Sequence, residues 1–223
     1  KVVFRPAVEP SVFHPHGGEK TVDVILSGSE TPDYPVRQRL NRVVREHAQE
    51  YGWSVLDLTG VGLMSGPPGT QAEYAPSLAA AKVSPTGTNR GGGAGATLVS
   101  QYFDHSVARA GVDHPVYGLG TPDLVVRRYD TAGITPRYLE SLASRTLLVG
   151  DLPDGESESW YRDKMVVVDP ELDDRELAET IDRWVRDDAA REELVEHAYR
   201  ETLRTETPAE KADALVEAIR AHL

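Results

Sequence analysis

The sequence predicts an α/β fold, a Rossmann-like doubly wound parallel sheet followed by C-terminal helices. Three observations carry the prediction. Val22-Asp23-Val24-Ile25-Leu26 is a short β-branched run stopped by Ser27-Gly28-Ser29, and apolar positions at helical spacing follow it. Thr146-Leu147-Leu148-Val149-Gly150 and Met165-Val166-Val167-Val168 are apolar without alternation, as strands covered on both faces are. The last third opens helices at Asp173 with Glu176 and at Thr207-Pro208-Ala209-Glu210, both in the capping-box pattern.

Residues 1–20 are proline-rich with no sustained period and read as an extended linker. After the first strand, Val36, Leu40, Val43, Val44 and His47 mark a helix from Pro35 that ends at Tyr51-Gly52. Trp53 to Leu58 is a second strand, followed by a Gly/Pro-rich loop through Gly69, a short helix over about 71–81 and a third strand at Lys82-Val83-Ser84. The glycine run 91–95 permits backbone shapes closed to other residues. Between Thr97 and Asp130 the pattern is weakest, with a helix over 97–110 and a strand over 123–128 as the candidates. Thr135 before Pro136 starts a helix through Leu139 and Leu142. In the C-terminal helices Leu177, Ile181, Trp184 and Val185 share one face, as do Leu215, Val216 and Ile219. The resulting division is a linker over 1–20, a sheet domain over 21–187 and helices packed on it over 188–223.

Composition narrows the function. Acidic residues outnumber basic ones 36 to 24, for a net charge of −12, which argues against coating nucleic acid or an anionic membrane. Excess acid, five lysines and no cysteine suggest a salt-adapted surface, because carboxylates stay hydrated when salt screens their repulsion. No apolar run approaches the roughly 18 to 20 residues of a membrane-spanning helix. Lys1-Val2-Val3-Phe4 is too short for the apolar part of a signal peptide, so a cytoplasmic setting and residues missing before Lys1 are expected.

Several chemistries lack their residues. The glycine run has no Gly-Lys-Ser/Thr ending, which removes a P-loop NTPase and leaves a lid or donor-site loop. Gly60-x-Gly62-x-x-x-Gly66 has the wrong spacing for a dinucleotide fingerprint. His14 with His16, and His105 with His114, have no further ligands at suitable spacing, and no Asp-x-Asp occurs, so no metal and no cofactor are expected. There is no Gly-x-Ser-x-Gly elbow for a serine nucleophile.

Four segments resemble retaining GT-B glycosyltransferases of the family 4, group 1-like kind, especially the spore-coat glycosyltransferase-like branch. They are Arg5-Pro6-Ala7-Val8-Glu9-Pro10-Ser11-Val12-Phe13-His14-Pro15, then Asp23 to Ser29 with Tyr34-Pro35-Val36-Arg37, then Ile134 to Pro153, and Met165 to Asp169 with the helix after Asp173. The resemblance implies the C-terminal, nucleotide-sugar-binding domain of such an enzyme. Glu140 matches the second glutamate of the family's paired motif, which implies a hold on the ribose hydroxyls. The first glutamate falls at Ala132, and Gly133 matches the glycine after it.

Independently of the family, the unpaired N–H groups at a helix start suit Gly133, Thr135 and Arg137 to a diphosphate. Glu140, one turn in, can accept from both hydroxyls of a ribose. Gly28 and Ser29 end the first strand, where open α/β sheets bind ligands. Arg37, Lys82 and Arg90 are the further candidate phosphate partners. No catalytic residue is assigned. The expected activity is metal-free transfer of a sugar from a nucleotide sugar to a glycan, lipid or protein. The acceptor domain is expected before Lys1 and absent from this chain, and peripheral membrane association, where it occurs, would come through that half. The alternatives are a non-catalytic nucleotide-sugar-binding or assembly module, to which Ala132 points, and a sugar-nucleotide epimerase of GT-B shape.

Overall fold

The structure, a computed structural model, describes residues 7–28, 30–31, 34–59, 70–88, 135–153 and 156–221. Ser29, the glycines at 60–66, Arg90, the glycine run, the elements expected over 97–130, Ala132 and Gly133 lie outside the described residues.

Five strands, β1 (Val22–Gly28), β2 (Val55–Thr59), β3 (Ala81–Pro85), β4 (Leu147–Gly150) and β5 (Val166–Val167), form one parallel sheet in the order β2-β1-β3-β4-β5. Helices α1 (Pro35–Tyr51), α2 (Thr70–Ala79), α3 (Pro136–Ala143), α4 (Glu156–Tyr161), α5 (Asp174–Arg186), α6 (Asp188–Thr205) and α7 (Pro208–Arg220) surround it. In β1 the alternation required of a strand divides the core. Val24 and Leu26 pack with Leu40 and Val43 of α1 and with Leu177 and Ile181 of α5. Ile25 faces the other way, onto Leu78 of α2 and Leu139 and Leu142 of α3. Helices therefore cover both faces, and β4 is buried at all four positions.

Local chemistry sets the element ends. Gly52 closes α1 in the left-handed conformation at φ 71°, which glycine adopts without a Cβ penalty. Asp173 and Glu176 form the expected capping box at α5, with both reciprocal bonds present. Thr207 accepts from the Glu210 N–H at α7. Thr135 departs from expectation: it occupies the N-cap of α3, yet its side chain makes no capping bond and is engaged elsewhere.

Two further differences bear on the layout. The segment expected as a linker buries Val8 and Phe13 in the core beside Tyr74 and Tyr138, and the Val8 N–H donates to Glu206 O at 2.9 Å. Among the C-terminal helices, α6 buries Val195 and Ala198, whereas α7 buries no side chain and leaves Leu215, Val216 and Ile219 exposed. Amphipathic spacing alone could not distinguish a helix packed on the sheet from one whose apolar face is open.

Candidate functional site at the sheet switch point

The chain leaves β1 toward β2 on one side and reaches β3 on the other. The crevice outside the C-terminal ends of β1 and β3 is therefore the topological switch point of this order, where open α/β sheets bind ligands. Gly28 ends β1, Thr86-Gly87-Thr88 follow β3, Asp151 follows β4, and α1 and α3 both begin at this edge.

Arg37, in the first turn of α1, is 2% exposed and ties the edge together. Its Nη2 donates to Thr86 Oγ1, Gly87 O and Thr135 Oγ1, each at 3.3 Å. This is why Thr135 does not cap its own helix. The Arg37 guanidinium also stacks over the Tyr34 ring at 4.2 Å. Burial lowers its pKa, and the neighbouring Arg137 lowers it further.

Arg137 enters from α3. Its guanidinium lies 4.4 Å over the Tyr74 ring, and its Nη1 donates to Glu140 Oε2 at 2.8 Å. The Tyr74 hydroxyl pairs with Ser27 Oγ at 3.1 Å, anchoring this arm to β1. Both guanidinium groups converge on Gly28, which has φ +90°. A Cβ built there would stand 2.8 Å from Arg37 Nη1 and 3.6 Å from Arg137 Nε. Only glycine leaves that space open. Glu140 sits beside the pair with its carboxyl raised above the ordinary value. Burial is the cause, and Arg137 and then Arg37 offset part of it.

A buried network below fixes the loop after β3. Asp151, 7% exposed, accepts from the Thr88 N–H at 2.8 Å and the Thr88 hydroxyl at 2.6 Å. The Tyr138 hydroxyl donates to Asp151 O at 2.7 Å. Gly150 allows the close approach, since a Cβ there would lie 2.4 Å from Thr86 O.

Of the residues singled out from sequence, Gly28, Arg37, Thr135, Arg137 and Glu140 come together here. Lys82 does not. It is the second residue of β3, at the opposite edge, where Nζ pairs with Asp23 at 2.8 Å beside a cleft of about 330 Å³. Parallel strands put residues that begin a strand and residues that end one on different sides of the molecule. Tyr34, Tyr74, Thr86, Thr88 and Asp151 belong to the edge without having been singled out. Asp151 alone had a usable signal, a carboxylate placed directly after an all-apolar strand.

Residues 107–217, about half of the chain, match the family model described as glycosyl transferase-like. That stretch includes Thr135, Arg137, Glu140 and Asp151, and it leaves out Gly28 and Arg37. No curated protein matches the sequence. Among solved structures, the GtfA/B complex is similar at a TM-score of 0.52 and 10% identity, covering 94% of this chain and 38% of that one. The C-terminal domain of a glycosyl transferase group 1 family protein, LpcC from Francisella tularensis, is similar at a TM-score of 0.48 and 12% identity, covering 90% and 99%. Among the described residues no helix is long and apolar enough to cross a membrane. On the family match over residues 107–217, the chain belongs to the family described as glycosyl transferase-like.

Proposed function

We propose that the switch-point edge binds the nucleotide sugar of a metal-free glycosyl transfer. The observation that carries this reading is the convergence of Arg37 and Arg137 on Gly28, one turn from Glu140. Two guanidinium groups and two helix starts supply positive potential for a diphosphate, and the absence of a Cβ at Gly28 leaves it room to approach. Glu140 would accept from the ribose hydroxyls. In the transfer, an acceptor hydroxyl oxygen bonds to the anomeric carbon, the bond from that carbon to the diphosphate breaks, its electron pair leaves with the phosphate, and the hydroxyl proton passes to the departing phosphate oxygen. Charge grows on the departing phosphate, where fixed cations in a dry setting stabilise it most. Retention at the anomeric carbon is proposed on resemblance, as is an acceptor held by a second Rossmann-like domain.

Calorimetry of this chain with UDP, GDP and their sugars tests the donor site. One of these nucleotides is expected to bind, and Glu140→Ala to weaken it about tenfold to a hundredfold, as the loss of hydrogen bonds to a charged group does. Absence of binding by every nucleotide would remove the reading.

A second reading, a nucleotide-sugar-binding module without turnover, is favoured by one residue. Ala132 stands where the family resemblance places a carboxylate near the donor sugar. Binding with neither transfer nor donor hydrolysis in the intact protein would select it.

A further inference from the structure

The two cations of the edge stand differently toward its carboxylate. Arg37 belongs to α1, and its hydrogen bonds at Nη2 go to Thr86, Gly87 and Thr135. Arg137 lies three residues before Glu140 on α3, and the two side chains are only 15% and 13% exposed. Arg137 is itself fixed, because its guanidinium rests on Tyr74, and Tyr74 is bonded to Ser27 of β1. An ion pair between surface side chains on a helix contributes little and wanders among rotamers. This one is nearly buried, and its cation is braced from the sheet. Among the described residues the only hydrogen-bond partner of the Glu140 carboxylate is Arg137 Nη1, at Oε2.

We infer that Arg137 is the positioning residue of Glu140: it supplies the counter-charge and the orientation that let the carboxylate receive the two vicinal hydroxyls of a ribose. The inference rests on the donor-site reading above and adds to it a division of labour. Glu140 touches the sugar of the nucleotide, and toward that sugar Arg137 acts through Glu140.

The charges around Glu140 give this a measurable consequence. From its own helix it faces Arg137, from α1 Arg37, and from α2 the neutral phenol of Tyr74. Burial pushes the carboxyl up, and Arg137 is the larger of the two cations holding it down. Replacing Arg137 by methionine keeps the burial and removes that opposition, so the carboxyl titrates at higher pH. Once protonated, it loses one of its acceptor positions for a diol. Ribose recognition in the variant then improves as pH rises through the new midpoint.

The test is a carbon-13 NMR titration of the Glu140 carboxyl in the wild-type chain, Arg137→Met and Arg137→Lys, with calorimetry of UDP against 2′-deoxy-UDP and GDP against 2′-deoxy-GDP. Arg137→Met is expected to raise the midpoint by about one unit or more, and Arg137→Lys to restore most of it. The preference for ribose over deoxyribose should collapse alike in Glu140→Gln and Arg137→Met, with the double variant no worse than Glu140→Gln. An unmoved midpoint in Arg137→Met, or fully additive losses in the double variant, would overturn the inference while leaving the donor site in place. If the wild-type chain binds none of these nucleotides, the donor-site reading falls and takes the ribose role with it, whatever the midpoint does.

Discussion

A methyl group added at Gly150 would meet the Thr86 carbonyl oxygen at 2.4 Å, and one added at Gly28 would meet Arg37 Nη1 at 2.8 Å. At Gly52 nothing lies within 4 Å, and only the left-handed backbone resists substitution. These three glycines separate strain from crowding. Gly52→Ala is expected to cost about 1 kcal/mol of stability for the backbone alone. Gly28→Ala and Gly150→Ala should each cost about 2 to 4 kcal/mol, since overpacking against fixed neighbours adds to or replaces backbone strain. Nucleotide binding should fall in Gly28→Ala and stay unchanged in Gly52→Ala, which closes α1 at the far edge. Denaturant melts and calorimetry of the three variants check the order, and a Gly150→Ala variant as stable as the wild type, with a Gly28→Ala loss no larger than that of Gly52→Ala, would show that crowding at the switch point contributes nothing. The residues of this edge were unequally legible. Gly28, Arg37, Thr135, Arg137 and Glu140 stand beside local signals: a strand end, two proline-marked helix starts and one helical turn. Thr88 and Asp151 are 63 positions apart, and no spacing rule connects them. Lys82 is one of five lysines, but it stands at the beginning of β3, and that position sets it at the opposite edge.

At the scale of elements, Lys20 joins the ends of two helices, α2 and α3, that share one face of the sheet. Its Nζ donates to Ala79 O at the end of α2, to Arg145 O just past α3, and to Thr146 Oγ1. One ammonium group thus serves two helix C-termini, where exposed carbonyls favour a cation. Burial is the main force bringing its pKa down from 10.5 to about 8. Between those values the unfolded chain binds more protons than the folded one, so stability should rise with pH from about 8 to 10.5. Lys20→Met should remove that rise. Comparing the two proteins by urea melts across pH 7.5 to 10 isolates Lys20 from the buried tyrosines Tyr74 and Tyr138, whose raised pKa values act in both alike. Parallel pH profiles for the two proteins would refute the assignment. The long elements are legible in the sequence because burial on two faces and helical periodicity repeat over many residues. Helix α4 is not legible there, because its six residues, Glu156-Ser157-Glu158-Ser159-Trp160-Tyr161, are too few for a period to emerge. Lys20 itself was hidden in a segment read as linker, because nothing local shows that the chain there lies against the core.

The whole molecule sets a net charge of −12 against an edge where two guanidinium groups converge. The described surface carries many arginine–carboxylate pairs, among them Arg42 with Asp174, Arg175 with Glu50 and Arg220 with Glu217. Exposed pairs of this kind add little to stability and are screened by salt. The unbalanced acid is a different matter, since its self-repulsion acts over the whole surface and opposes the compact state. Raising salt weakens both effects, and the larger one decides the sign. For this charge balance the repulsion should dominate, so the unfolding midpoint should rise by about 2 to 4 °C between 0.05 and 1 M KCl, as about 1 kcal/mol of added stability produces in a chain of this size. Nucleotide affinity should move the other way over the same range. The attraction that matters there is local, between a diphosphate and the cations at Gly28, and salt screens it. Circular-dichroism melts and calorimetry over one salt series measure both. A midpoint that falls with salt would mean that the surface ion pairs outweigh the acidic excess, and it would remove the salt-adapted reading of the composition.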